Sequence, residues 1–240
     1  MFNIQLTGRQ GIAFGISLLL IVAMAYGVKQ TVFADRAVNR TSMVAMKQQL
    51  NPSIDIPASK TTGTETIVLA GGCFWGVEGV FEKLQGVSNV VSGYAGGTAA
   101  MANYPAVSNG TTGHAEAVQV TYDPQKISFG QLLKIFFMVA HDPTQIDRQG
   151  PDQGTQYRSE IFVSAPEQQR VAQAYINQLS QSKTFAQPIA TKLTTLTEFY
   201  PAEEYHQNFM VQNPKYPYVL VHDRPKIDRL QQEFPELVKR

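Results

Sequence analysis

The pair Gly71-Gly72 is the sharpest punctuation in the chain. Before it, Thr66-Ile67-Val68-Leu69-Ala70 is a short β-branched and aliphatic run, and beyond it Phe74, Val77, Phe81 and Leu84 recur at helical spacing. The pattern predicts a strand, a tight turn and a helix in immediate succession. Gly76 and Gly79 fall inside that helix, where each costs about 1 kcal/mol relative to alanine, so close backbone packing is expected to offset them.

The remaining segments extend this beginning. Val87 to Tyr94 reads as a second strand closed by Gly96-Gly97, and residues 101–113 as a loop rich in Asn, Ser, Thr and Gly, of a length that is often functional. In residues 116–123 (EAVQVTYD) the alternation puts Val118, Val120 and Tyr122 on one strand face, and Glu116 shares their parity while Ala117, Gln119 and Thr121 point the other way. Ser128 is placed to cap a helix with Phe129, Leu132, Leu133, Phe136, Phe137 and Ala140 as its buried stripe. A polar stretch, residues 141–154, leads into a strand from Tyr157 to Val163. Ser164 and Glu167 have capping-box spacing ahead of a helix carrying Val171, Ala174, Tyr175 and Leu179, and residues 189–199 read as one further strand or two. Strands and helices intermixed in this way predict an α+β fold, a mixed β-sheet with helices packed on it.

Composition narrows the functional classes. The chain of 240 residues is 43% hydrophobic and carries a formal charge of +1, so no strong field draws it to nucleic acid. Its single cysteine, Cys73, excludes an internal disulfide framework and any zinc site needing two cysteines from this chain. Residues 12–28 (IAFGISLLLIVAMAYGV) are uncharged, follow Arg9 and precede Lys29, the layout of a secretory signal or a membrane anchor. We therefore expect residues 1–34 to be a signal peptide or anchor, giving an exported or membrane-anchored, extracytoplasmic protein. Residues 35–63 are expected to be a flexible linker, 64–225 the folded domain and 226–240 a C-terminal tail. Residues 1–34 hold Arg9 and Lys29 but no acid, so the remainder is formally −1.

Cys73 falls at the first turn of the predicted helix, where free N–H groups and the helix dipole favour a thiolate; a small buried hydrophobe is the other reading of a lone cysteine. Phe74 and Trp75 are core residues or an aromatic wall suited to a methyl group. Glu116, an acid on an apolar strand face, is a candidate neutral proton donor if burial raises its pKa. Tyr104, Tyr157 and Asp152 lie in or beside polar loops. His114, His141, His206 and His222 are scattered without HxxxH or HExxH spacing, so no metal is expected, and no phosphate-binding glycine loop is present.

GGCFWG is followed in order by GYAGG (93–97), GHAEAV (113–118), HDPTQ (141–145), RQGPDQGTQYRS (148–159) and FYPAEEYHQNF (199–209). On these motifs the chain resembles the A-type peptide methionine sulfoxide reductases, over about Thr66 to Val221. The resemblance implies a two-layer α+β sandwich with a ferredoxin-like core that reduces the S epimer of methionine sulfoxide, free or in oxidised proteins, as repair of oxidative damage. It implies Cys73 as nucleophile, Glu116 as proton donor assisted by Tyr104 and Tyr157, and Asp152 shaping the site and binding substrate backbone. Phe74 and Trp75 would enclose the methyl group, with His206 also on the substrate side. Many relatives carry a resolving cysteine near the C-terminus, and this chain has none there. An external thiol, thioredoxin-like, glutaredoxin-like or of low molecular weight, is then the expected reductant, with no bound cofactor and a monomer as the default. Two other classes compete: a thiol hydrolase using His141 or His206 as base, and a non-catalytic tethered domain in which Cys73 is inert and alkylates slowly.

Overall fold

The strand expected before Gly71-Gly72 is β1, Glu65–Gly71, and the helix beyond is α1, Phe74–Glu82, in a computed structural model that describes residues 50–58 and 63–239. The predicted signal or anchor lies outside the described residues. Among the described residues no helix is long and apolar enough to cross a membrane. Next come β2 (Val87–Ala95), a short helix α2 (Tyr104–Val107), β3 (Ala115–Tyr122) and α3 (Phe129–Ile135), which runs into a π-helical turn, Phe136–Ala140. A small ribbon, β4 (Arg148–Gln149) with β5 (Asp152–Gln153), precedes β6 (Ser159–Val163) and α4 (Pro166–Gln181). β7 (Lys192–Thr195), β8 (Phe199–Pro201), α5 (Phe209–Gln212) and α6 (Arg224–Glu233) complete the order.

Six strands form one sheet in the order β7-β6-β1-β3-β2-β8, antiparallel except for β6 beside β7. The inner four, β6-β1-β3-β2, make the split β-α-β arrangement of a ferredoxin-like core, because β3 lies between the parallel strands β1 and β2 that α1 connects. The sheet is therefore mixed and the fold α+β, as expected.

Register decides what faces α1. Ile67 pairs with Val120, Leu69 with Val118, and Tyr94 with Glu116. Directly paired residues share a face, so Glu116 ends the same apolar row as Val118, Val120 and Tyr122. The opposite face is covered as well: Val68, Ala70, Ala95, Ala115, Ala117 and Phe162 form a second small core under Leu196 and Phe199. Both faces are buried around Glu116, which is why its carboxyl is cut off from water.

The glycines of α1 are used as expected. A Cβ on Gly76 would stand 2.1 Å from Asp223 Oδ1, and one on Gly79 would stand 2.5 Å from Met210 Sδ. At α3, Ser128 and Gln131 form a complete capping box.

Several boundaries differ from the sequence reading. Ser164 does not cap α4: Pro166 takes the first helical position, the residue before it is held extended, and Ala165 becomes the N-cap, leaving Glu167 one place too early for a box. Gln168 instead accepts from the Ser164 backbone N–H. Tyr157 ends a 3-10 turn, Thr155–Tyr157, and the strand starts at Ser159. Residues 189–199 supply β7 and the start of β8, and the loop of residues 101–113 contains α2, capped by Asn103.

Two domain limits also move. Asp55 accepts from the Gly130 backbone N–H at 2.8 Å and from the Ser128 hydroxyl, while Asn51 accepts from Lys134 Nζ at 2.7 Å. The end of the expected linker is thus fastened to α3, and the compact unit spans Asn51–Arg240. Residues 226–239 are not a tail, since Ile227, Leu230 and Phe234 of the α6 region are buried and Leu84 bridges to Val238. Their spacing is an amphipathic stripe whose few apolar positions are easily lost among the charges of that segment.

Candidate active site

β1 delivers the chain to Gly72, whose φ of +92° and contact with Gln149 leave no room for a side chain. The turn sets Cys73 at the N-cap of α1, with its side chain buried. Phe74 begins the helix, and its backbone N–H donates to Glu116 Oε2 at 3.1 Å. A carboxyl on β3, the strand next to β1, is thereby held against the orphan donors of the helix start.

Burial pushes the Glu116 carboxyl up to about 8, against the Phe74 hydrogen bond and with help from Asp152. Raised this far, the carboxyl keeps its proton at neutral pH. The thiol departs from the expected thiolate: burial first, then Glu116 and Asp223, raise Cys73 well above its ordinary value, outweighing the Trp75 backbone N–H and Lys226. The helix-terminus field is real but is overcome by desolvation and by carboxyl groups on neighbouring elements. A thiol held protonated in this way is expected to alkylate slowly whether or not it is catalytic, so slow alkylation does not separate a reactive cysteine from an inert one.

Tyr104 on α2 and Tyr157 at the 3-10 turn are each half-buried, and both hydroxyls are raised by burial and by Glu116, with Cys73 contributing to each. Two phenols from separate loops therefore converge on the thiol and the acid, and both remain donors at any ordinary pH. Asp152 on β5 accepts a hydrogen bond from the Tyr218 hydroxyl. Burial, Cys73 and that bond raise Tyr218 in turn, so it belongs to the same cluster.

Phe74 and Trp75 divide their roles. Phe74 is fully buried, against Tyr94 and His206. Trp75 is partly open and stacks flat on Phe209 at 3.7 Å, with Tyr216 and Tyr218 edge-on. Its indole N–H donates to His206 Nδ1 at 3.2 Å, and the His206 ring lies 4.5 Å from that of Tyr104. The result is an aromatic box one turn from the sulfur.

Among the described residues no histidine is hydrogen-bonded to the Cys73 thiol, although His206 Nε2 is buried without a partner. His141 is buried, with Nδ1 on the Phe136 carbonyl and Nε2 2.6 Å from Ser159 Oγ, and burial lowers its pKa to about 4. His206 Nδ1 is taken by Trp75, and His114 ring nitrogens face Gly97 N–H and the Thr98 carbonyl. Among the described residues no group of three or more His, Cys, Asp or Glu side chains is placed to hold a metal ion.

Sequence reasoning missed Tyr218, Phe209, Tyr216 and Glu203. Glu203 accepts from the Tyr94 hydroxyl and the Tyr104 backbone N–H, each at 2.8 Å, and so ties α2 to the sheet. Those bonds outweigh burial and hold its carboxyl below the usual range. The cluster Tyr216-Pro217-Tyr218, inside the expected domain and rich in rings with polar tips, was the available signal for two of them.

Comparisons with known proteins agree with this geometry. A family model described as Peptide methionine sulfoxide reductase matches residues 65–237. Peptide methionine sulfoxide reductase MsrA 2 of Synechocystis sp. is 56% identical over 191 residues, covering 79% of this chain and 89% of that protein. The protein of the same description from Mesorhizobium japonicum is 54% identical, covering 73% and 90%. Among solved structures, methionine sulfoxide reductase A of Corynebacterium diphtheriae matches with a TM-score of 0.60 at 37% identity, covering 65% of this chain and 77% of that one. The reduced form of Mxr1 from Saccharomyces cerevisiae gives the same TM-score at 34% identity, covering 65% and 92%. A thiol, a neutral acid and two phenols gathered beside an aromatic box, together with these likenesses, place the chain in the peptide methionine sulfoxide reductase family, whose reaction is the reduction of methionine sulfoxide to methionine.

Proposed function

We propose that this protein reduces the S epimer of methionine sulfoxide, free or in oxidised proteins, by transferring its oxygen to Cys73, and that an external thiol then restores the enzyme. The observation that carries the reading is a buried thiol set beside a carboxyl, Glu116, whose pKa of about 8 keeps it protonated at neutral pH.

The chemistry needs that pairing. A sulfoxide oxygen departs only when it is protonated, and a buried acid supplies the proton without the competing water that would level it. Cys73 Sγ attacks the substrate sulfur, Glu116 gives its proton to the oxygen and recovers the one released by the thiol, and Tyr104 and Tyr157 donate to the developing negative charge. In balance, a Cys73 thiol and a methyl sulfoxide become a Cys73 sulfenic acid and a methyl thioether. Phe74 and Trp75 hold the methyl group, His206 orients Trp75 through its indole N–H, and Asp152, steadied by Tyr218, receives the substrate backbone.

Cys73 is the only cysteine of the chain, so no internal disulfide can form. Two equivalents of thiol from a thioredoxin-like protein or a small thiol convert the sulfenic acid to thiol and water, leaving the donor as a disulfide. No bound cofactor is required. The site is built within one chain, which supports a monomer, and the uncharged residues 12–28 support export or a membrane tether.

The test is turnover of separate S and R epimers of an N-blocked methionine sulfoxide by the full-length protein with dithiothreitol, beside the Cys73→Ser variant. Loss of the S epimer alone, abolished in the variant, is the expected result. Turnover of neither epimer would overturn the proposal.

A further inference from the structure

Glu78 is the buried acid of α1, and the chemistry above leaves it without a part. It lies one turn beyond Phe74 and Trp75 and is 1% exposed, and its Oε1 is buried without a hydrogen-bond partner. Nothing in an ordinary helix explains a carboxyl there, because burying one without full compensation is costly. Across from it the chain turns at Asn208. Asn208 is held at φ +52°, and the backbone N–H groups of Asn208 and Phe209 lie near enough to the Glu78 carboxyl to favour its charged form, as does the Ser92 hydroxyl, whose oxygen like Glu78 Oε1 is buried without a hydrogen-bond partner.

The same corner is pinned from the sheet side. The Gln207 side-chain carbonyl accepts from the Ser92 backbone N–H at 2.9 Å, and its amide donates to the Ser92 and Ala202 carbonyls at 3.0 Å each. What leaves the corner is Phe209, whose ring lies on Trp75 at 3.7 Å and 7°. What enters it is His206, the acceptor of the Trp75 indole N–H. The acceptor of the Trp75 indole N–H and the ring stacked flat on it are thus both carried by the segment that turns beside Glu78.

We propose that Glu78 is a positioning residue for substrate binding: by accepting the backbone N–H groups of Asn208 and Phe209 it holds Phe209 flat on Trp75 and so sets the aromatic wall that receives the substrate methyl group. The proposal rests on the reading of Phe74 and Trp75 as that wall. Glu78 touches neither thiol nor substrate and acts only through Phe209. Burial raises the Glu78 carboxyl to about 7, in keeping with a group held for its acceptor oxygens rather than for its charge.

The chain contains one tryptophan, so its emission reports this wall directly. The experiment compares full-length wild type with Glu78→Gln, which keeps one acceptor oxygen, and Glu78→Met, which keeps neither. It reads Trp75 emission, and KM and kcat with N-blocked methionine S-sulfoxide and dithiothreitol. Expected is a graded red shift of emission and a graded rise in KM, about tenfold for Glu78→Met and less for Glu78→Gln, with kcat within about twofold, the size of one or two lost hydrogen bonds. In a Phe209→Leu background Glu78→Gln should add nothing to KM. Unchanged emission and KM in Glu78→Gln, or a fall in kcat and thermal stability with KM and emission unmoved, would overturn the proposal. Wild-type turnover tests the underlying reading separately, and emission is read without turnover.

Discussion

The backbone N–H of Phe74 donates to Glu116 Oε2 at 3.1 Å, joining the first residue of the helix after Cys73 to an acid on the central strand β3. That single bond brings nucleophile and proton donor into one frame, because Cys73 and Phe74 are consecutive and β3 is held on both sides by β1 and β2. The bond also opposes, without cancelling, the burial that keeps Glu116 protonated.

Glu116→Gln should lower kcat by about 10²- to 10³-fold, the usual worth of a general acid, with the fold intact. In the wild type kcat/KM should fall as pH rises through about 8, where the acid is lost. The folded-state pKa lies above the unfolded one, so the stability that Glu116 contributes is complete below about 4.5 and is lost as pH climbs to about 8. Glu116→Gln should therefore raise the melting temperature at pH 8.5 and leave it nearly unchanged at pH 4.5. A variant with wild-type kcat would remove Glu116 from the chemistry.

Alkylation of Cys73 by iodoacetamide should be slow at pH 7 and accelerate with pH, since burial and neighbouring carboxyls hold the sulfur as a thiol. At pH 9 Glu116 is ionised and repels a thiolate, so Glu116→Gln should alkylate several-fold faster there and at a similar rate at pH 7. Equal rates for both proteins at pH 9 would show that the two groups do not interact.

Gly76→Ala should destabilise the protein by about 1–3 kcal/mol in chemical denaturation, although alanine is the better helix former. The added methyl would meet Asp223 Oδ1 at 2.1 Å and Lys226 Nζ at 2.6 Å, in an ion pair whose Asp223 is fully buried. A neutral or stabilising effect would mean that α6 can shift away from α1.

Tyr218→Phe removes the hydroxyl that donates to Asp152. Steady-state kinetics on N-blocked methionine sulfoxide should show KM rising by about tenfold, the cost of a charge-assisted hydrogen bond, with a smaller change in kcat. A loss confined to kcat would place Tyr218 among the donors to the oxygen instead.

Much of this was legible along the chain. The glycine pair, the helical stripe that follows and the parity of Glu116 with Val118 and Val120 are local patterns, and each reports geometry that short-range sterics and burial impose. The motifs around Cys73, Glu116, Asp152 and Tyr157 likewise pointed to residues that lie close enough in the fold to act on one another's protons. The amphipathic helix after Ser128 followed from spacing alone, and its capping box is present.

Tertiary structure decided what depends on neighbours distant in sequence. A first-turn cysteine reads as a thiolate, yet burial together with Glu116 and Asp223 makes it a thiol, and a carboxyl 150 residues away in α6's approach cannot be weighed from spacing. Pro166 moved a helix start by one residue because ring sterics outrank a capping pattern. Tyr218, Glu203 and Glu78 acquired partners only when the chain after β8 folded back over α1. Residue type and period determine which face a side chain takes, whereas its protonation state and its partners are set by the dielectric and the donors that other elements bring to it.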